Sequence, residues 1–463
     1  MAAISSDPAL ARQFAVTVVE RLRQAGHETY WAGGCVRDDL LGRTPADYDV
    51  ATAARPDQVR QVFGHRRTLA VGAAFGVITV LGPKGAGQVE VATFRADAPY
   101  TDGRHPAGVT FCSAREDAQR RDFTINGLFL DPLTGAVHDF VGGRDDLAAG
   151  VVRAIGVPAM RFGEDHLRML RAVRFAAFFG FALDDETRTA IERMAHLVTS
   201  VSPERIAAEL RAMVSRPGRR RALELLDETG LAREVLPELA PGPGRADCGT
   251  SLPEQDVRNA DRGNPRRFHR SAEWTKAREG FVHGQRDAAG RGRWQAAAAI
   301  VAALDEPDLP RALAILAAGQ DGGVVRQVGG RLRLSNHETK TAGWLWDSVA
   351  ALGGEAAATL RSRPWSSVQP WLAHEQAAAL ADVLRARAAC GHGEPAAAAW
   401  ITAQVARPRA ELDPPPLVTG NDLLAAGVPP GKAVGVALAR IRGLQLDGVI
   451  ATRTEALATL GGD

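Results

Sequence analysis

Hydrophobic residues along this chain keep one spacing, abandon it, and then return to it. Within residues 7–26, Leu10, Phe14, Val18 and Leu22 recur at every fourth position, which predicts an amphipathic helix. From about residue 28 to 150 the apolar positions gather instead into short runs bounded by turn residues. Tyr30-Trp31-Ala32 reads as a strand end, Gly33-Gly34 as a turn, and Val36–Leu41 as a short helix that Gly42 can stop. Val77–Leu81 and Val89–Phe94 are β-branched runs separated by Pro83-Lys84-Gly85-Ala86-Gly87, which predicts a hairpin. Residues 95–112 are polar and turn-rich, as a long loop would be. After Gly150 the three- and four-residue spacing resumes in Met160–Phe179, Asp185–Leu197 and Pro203–Val214. The last of these follows Ser202 and carries Pro at its first helical position, a sound helix start. Residues 241–293, rich in Gly, Pro and Arg, interrupt the pattern, and Asp413-Pro414-Pro415-Pro416 punctuates it again.

Composition narrows the picture. A chain of 463 residues exceeds one compact core, so roughly two to four domains are expected. Hydrophobic residues make up 45% and charged residues 24%, an ordinary globular balance. Of the 56 basic residues 52 are Arg, yet the net charge is only +2, so any nucleic-acid surface must be a local patch. Cys35, Cys112, Cys248 and Cys390 are far apart without zinc spacing, and a reduced cytoplasmic compartment is expected. No basic segment leads into a long apolar core near the N-terminus, which argues against a signal peptide. The longest apolar candidate, Ala296–Leu304, is too short to cross a bilayer, so no membrane partner is expected.

The densest chemistry lies in Gly33-Gly34-Cys35-Val36-Arg37-Asp38 and Asp47-Tyr48-Asp49. A glycine turn can bring backbone N–H groups against a triphosphate. Residues i and i+2 of a strand project from one face, so Asp47 and Asp49 could grip Mg²⁺ beside that turn. Magnesium binds through one or two carboxylates plus substrate phosphates, as two-metal nucleotidyl transfer requires. Asp-x-Asp alone is common in turns and on solvated strand faces; the strand–turn–helix–strand context is what sharpens the reading.

Residues 33–52, Gly-Gly-Cys-Val-Arg-Asp-Asp-Leu-Leu-Gly-Arg-Thr-Pro-Ala-Asp-Tyr-Asp-Val-Ala-Thr, resemble the first signature of class II CCA-adding tRNA nucleotidyltransferases and bacterial poly(A) polymerases. Four further signatures follow in the family's order: Arg120–Asn126, Asp139–Leu147, Glu164–Arg168 and Arg205–Glu209. The resemblance implies an α+β fold, a small mixed β-sheet head followed by an elongated all-α neck, body and tail. The domains expected are a catalytic head at 1–150 and a neck at 151–215 carrying the base-selection motif. They continue with a body at 216–350, including the insertion 241–293, and a tRNA-binding tail at 351–463. The resemblance also implies Asp47 and Asp49 as Mg²⁺ ligands, and Glu90 as a third catalytic carboxylate; on residues alone Glu90 reads as a solvent-face position. Gly33, Gly34, Arg37, Arg120, Arg121, Asp122 and Asn126 would contact the nucleotide triphosphate and sugar, the alternative for Arg120-Arg121-Asp122 being a structural ion-pair cluster. Gly127 stands where the family often has Ala, a change expected to be neutral.

Glu164, Asp165 and Arg168 would share one side of a helix. Aspartate only accepts hydrogen bonds and arginine only donates. Asp165 accepting from an exocyclic amine and Arg168 donating to a ring nitrogen would suit both cytosine and adenine, while uracil and guanine would leave a buried group unpaired. Such mismatches support discrimination of about 10⁴ or more. Arg171 and Arg174 continue that arginine face toward RNA phosphates or into ion pairs, and Arg205 with Glu209 would brace the site. The expected reaction is addition of C and A from CTP and ATP to the tRNA 3′ acceptor end, by a chain expected to be a monomer. Poly(A) polymerase, an enzyme adding only A, and a non-catalytic RNA-binding scaffold are the alternatives.

Against poly(A) addition, Val71–Ile78 lacks the basic segment such polymerases tend to carry, and Thr419–Lys432 resembles the tail of tRNA enzymes. Residues 95–112 resemble a mobile loop near the family's active site, and 241–293 a linker or a basic RNA-contacting loop. Arg331–Asn336 resembles a fragment of a phosphohydrolase module whose hydrolytic centre is expected to be absent; His138-Asp139 lacks partner histidines.

Overall fold

A computed structural model describes residues 7–97, 109–240 and 288–460, and the chain divides into two compact units between Val235 and Leu236. The first unit opens with α1 (Pro8–Gln24), where the Asp7 side chain accepts from the N–H groups of Ala9 and Leu10. Val18 and Leu22 turn inward from α1. The strands β1 (Thr29–Ala32), β2 (Asp49–Thr52), β3 (Thr68–Leu69), β4 (Val77–Leu81) and β5 (Gln88–Thr93) follow, with α2 (Gly34–Leu40) and α3 (Pro56–Phe63) between them. A short antiparallel ribbon, β6 (Arg95–Asp97) with β7 (Val109–Phe111), precedes α4 (Ala114–Gln119), then come β8 (Leu128–Leu130) and β9 (Val137–Asp139).

Seven of these strands form one mixed sheet in the order β3-β4-β5-β2-β1-β8-β9. The hairpin expected at 77–94 is β4–β5, antiparallel, with Thr79 opposite Glu90. β5 pairs with β2 in parallel, which no local turn could specify. Alternation along β5 buries Val89 and Val91 and leaves Glu90 outward.

The rest of this unit is mainly helical, from α5 (Gly143–Ala149) through α6 (Pro158–Glu164) and α7 (Leu167–Phe179) to α8 (Asp185–Met194), α9 (Pro203–Val214), α10 (Arg219–Glu228) and α11 (Leu231–Val235). A two-strand pair, β10 (Val151–Val152) with β11 (Ala182–Leu183), flanks α7. The single helix expected at 160–179 is in fact two, because Asp165 adopts an extended backbone (φ −148°) between α6 and α7. The apolar spacing lapses at the break, where Gly163-Glu164-Asp165-His166 separate Phe162 from Leu167.

Within the second unit, one apolar core runs from Ala314 to Leu412 and includes Leu345, Leu352, Leu360, Leu380, Leu384 and Ile401. It passes through residue 350, the expected body–tail boundary. A separate small core joins Val418, Leu423, Ile441, Ile450 and Ala456. A helix starts at Ala288, inside the expected insertion 241–293, while residues 241–287 and 98–108 lie outside the described residues. Among the described residues no helix is long and apolar enough to cross a membrane.

Candidate active site

Gly33 follows β1 with φ +73° and ψ −127°, a conformation that side-chain-bearing residues avoid. Its N–H donates to the Leu128 carbonyl at 3.2 Å. A Cβ there would lie 3.0 Å from Nη1 of Arg121, so the backbone demands glycine and the arginine lies closely over the turn. Arg37, in contrast, points inward. It is buried, donates from Nη1 to Asn126 Oδ1 at 2.6 Å, pairs with Asp38, and lies 4.5 Å from the Phe179 ring centroid.

β2 starts only at Asp49, and Asp47 occupies the bend before it. The exposed–buried–exposed alternation nonetheless holds: Tyr48 packs inward with its ring 4.7 Å from that of Trp31, leaving both carboxylates outward. Glu90 sits directly across the parallel pair from Asp49. Partial removal from water, then the charges of Asp47 and Glu90, raise the Asp49 pKa to about 6, against the pull of Arg121. Cys35 below the turn donates to the carbonyls of Ala32 and Asp49, and burial pushes its thiol up to about 12, so it packs as a neutral group.

Among the described residues no group of three or more His, Cys, Asp and Glu is arranged to hold a metal by protein ligands alone. Magnesium does not need one, since substrate phosphates complete its shell. Like charges raising Asp49's pKa are what a bound cation would relieve, so the donor set fits Mg²⁺ held by Asp47 and Asp49 together with a triphosphate.

Arg121 and the Asn126 carbonyl lie against the turn, while Arg120 shares Asp117 with Arg121 and Asp122 bonds Asn126. Asp122 accepts from Asn126 Nδ2 at 3.0 Å and from Arg171 Nε at 2.9 Å, and these donors hold its pKa down at about 2 despite burial. With Arg37 they make a continuous chain, Arg37–Asn126–Asp122–Arg171, from α2 to α7. Gly127 follows. A Cβ there would come within 2.7 Å of Val141 Cγ2, so the missing methyl is not neutral here: Val141 fills its place.

Glu164, Asp165 and Arg168, the motif expected to select the base, do not lie on one helix side. Glu164 ends α6, Asp165 stands between helices, and Arg168 is in the first turn of α7. Arg168 still pairs with Glu164, while Asp165 accepts from Arg205 at 2.7 Å and from the Leu167 N–H at 3.1 Å. Arg174 pairs with Glu209 at 2.6 Å and Arg171 with Asp122, so these arginines are placed in ion pairs. Glu209 thus braces α7 and Arg205 braces Asp165 in the link between α6 and α7, rather than each other.

Two site residues escaped the sequence reading. Arg161 bonds the carbonyls of Gln119 and Arg120 and the Glu164 carboxylate, joining α6 to the segment that carries Arg120 and Arg121. Asp117 is 1% exposed and pairs with both Arg120 and Arg121. The Ser113-Ala114-Arg115-Glu116 capping box was the available signal, since it starts a helix that sets Asp117 one turn from both arginines. Asp139 of the His138-Asp139 pair is spent on structure, accepting from the N–H groups of Val141, Gly142, Gly143 and Arg144 at the start of α5. Lys432 is the exposed first residue of the helix Lys432–Leu446.

Comparison with known proteins agrees with this geometry. Residues 29–153 match the poly A polymerase head domain, and residues 180–242 the probable RNA and SrmB-binding site of polymerase A. The CCA-adding enzyme of Anoxybacillus flavithermus is 44% identical over 227 residues, 49% of this chain and 56% of that one. That of Bacillus subtilis is 43% identical over 222 residues, 48% of this chain and 55% of that one. The chain thus matches just over half the length of these curated relatives. The crystal structure of the Bacillus stearothermophilus CCA-adding enzyme in complex with CTP superposes with a TM-score of 0.69 at 27% identity, over 97% of each chain.

Proposed function

We propose that this chain, whose N-terminal half belongs to the family of class II CCA-adding tRNA nucleotidyltransferases and bacterial poly(A) polymerases, adds C and A to the tRNA 3′ end from CTP and ATP. The observation that carries the reading is Asp49 facing Glu90 beside a glycine turn overlain by Arg121. Asp47 and Asp49 would hold Mg²⁺, which supplies charge neutralisation on the triphosphate. Glu90 lies on the same face, where it orients the attacking 3′-hydroxyl. Arg121, over the turn, meets the triphosphate, and Arg120 beside it shares the same carboxylate anchor. Asp122 and Asn126 link that cradle to α7.

Base choice falls to Asp165 and Arg168. Asp165 is held by Arg205 and Arg168 by Glu164, so an acceptor and a donor are fixed before a base arrives. Cytosine and adenine satisfy both, whereas uracil and guanine do not. The second unit would hold the tRNA by shape and phosphate contacts, and the protein would work in the cytoplasm as a monomer.

The test is extension of tRNA transcripts ending before CCA, after C, and after CC, with Mg²⁺ and each nucleotide separately and together. Addition that stops at CCA from all three supports the reading. Long A tails on any RNA would move it to poly(A) polymerase, and no incorporation would favour a binding scaffold.

A further inference from the structure

The arginines beside the glycine turn owe their positions to a carboxylate that the proposed reaction does not itself use. Oδ1 of Asp117 accepts from Arg120 Nε at 2.9 Å, from Arg120 Nη2 at 2.7 Å and from the Arg95 backbone N–H at 3.2 Å. Oδ2 accepts from Arg121 Nε at 3.2 Å and Nη2 at 3.0 Å. One buried carboxylate therefore binds the Nε–Nη2 edge of both guanidiniums. The other edge of Arg121 remains directed at the turn, with Nη1 3.4 Å from the Asn126 carbonyl and over Gly33. A guanidinium clamped along one edge keeps a fixed fork for an anion on the other, and little rotamer freedom is left to lose on binding.

We infer that Asp117 is a positioning residue for nucleotide binding: it fixes Arg121 over the glycine turn and Arg120 beside it, and ties both to the first residue of β6. This rests on the head being a nucleotidyltransferase. Asp117 touches no substrate; it acts through the arginines. Its pKa agrees, since the two guanidiniums and the hydrogen bonds hold it low although burial raises it. Replacement by Asn keeps an oxygen for the Arg95 N–H but removes the charge and puts an NH₂ donor where the second oxygen accepts from Arg121, which breaks the arginine clamp while sparing the bond to the ribbon.

The experiment measures steady-state kinetics with ATP and a tRNA ending in CC, and equilibrium CTP binding, for the wild type, Asp117→Asn, and Asp117→Asn combined with Arg121→Gln. The expected result is a KM for ATP raised about 10–100-fold and CTP affinity weakened alike, with KM for tRNA within about twofold. Adding Arg121→Gln should then cost little more, because its anchor is already gone. Unchanged CTP affinity, an equal rise in both KM values, or a fully additive double variant overturns the positioning role. Should Asp117→Asn not fold, Arg121→Gln alone must reproduce the selective rise in KM for ATP; if it does not, the inference fails. A wild type that binds CTP but transfers nothing sinks the transferase reading while leaving the arginine clamp to be judged on CTP affinity.

Discussion

Asp49 and Glu90 stand opposite each other across the parallel β2–β5 pair, two carboxylates brought together by residues 41 positions apart. Partial removal from water, then the charges of Asp47 and Glu90, raise the Asp49 pKa to about 6. An acid whose folded pKa exceeds its ordinary value costs stability once ionised, and the cost is removed as pH falls from about 6 toward 4. Asp49→Asn should therefore abolish at least about 10²–10³ of the transfer rate. In metal-free buffer near pH 7.5 the same variant should be more stable by roughly 1 kcal/mol, a figure discounted for the exposure of the side chain. Thermal melts with and without Mg²⁺ check this: Mg²⁺ with CTP should stabilise the wild type and leave the variant unmoved. An equal shift in both would remove Asp49 from the metal site.

Val141 occupies the space that a methyl group on Gly127 would take. Gly127→Ala should cost about 1–3 kcal/mol by overpacking, although alanine is the less flexible residue. Val141→Ala made on top of it should recover part of that loss, giving a favourable coupling in a double-mutant cycle. Denaturant unfolding of the four proteins measures it. Additive costs would show that the two positions do not share space.

Which parts of this site can be read in the sequence follows from how local each interaction is. The glycine turn, the Asp47/Asp49 alternation and the β4–β5 hairpin are set within a few residues, and their residue types announce them. The parallel register that puts Glu90 beside Asp49 is non-local, so on residues alone Glu90 looked like any outward strand position. The break at Asp165 falls in Gly163-Glu164-Asp165-His166, a polar stretch that reads equally well as one solvated turn of a continuous helix. Asp117 went unread because its burial, the property that makes a surface-type pair into an anchor, is decided by β6 and α4 packing. The apolar core crossing residue 350 is likewise a tertiary fact with no punctuation in the chain.

Asp122 accepts from Asn126 and Arg171, and its pKa lies near 2 in the folded protein. A depressed carboxylate pKa means stability that is present above the unfolded value of about 4 and lost as pH falls through about 2. At pH 7 the contribution is on the order of 2 kcal/mol. Asp122→Asn should lower stability by that order at pH 7, and the gap to the wild type should close as the pH is taken below about 3. Urea midpoints across pH 2.5–7 follow it. A gap that stays constant across the series would mean that packing, rather than the charge facing Arg171, is what Asp122 provides.

Arg205 reaches from α9 to Asp165, the acceptor proposed to meet the exocyclic amine, at 2.7 Å. The Leu167 N–H holds the other carboxylate oxygen at 3.1 Å, so removal of Arg205 loosens Asp165 without freeing it. An acceptor that can swing tolerates a mispaired base better, because the buried mismatch can relax. Arg205→Met should accordingly lower the ratio of kcat/KM for CTP over UTP by about tenfold, with kcat for CTP changed less than about threefold. Incorporation of each nucleotide on a tRNA ending before CCA gives the ratio. A variant that loses CTP and UTP turnover equally would show that Arg205 supports the fold of the neck rather than the choice of base.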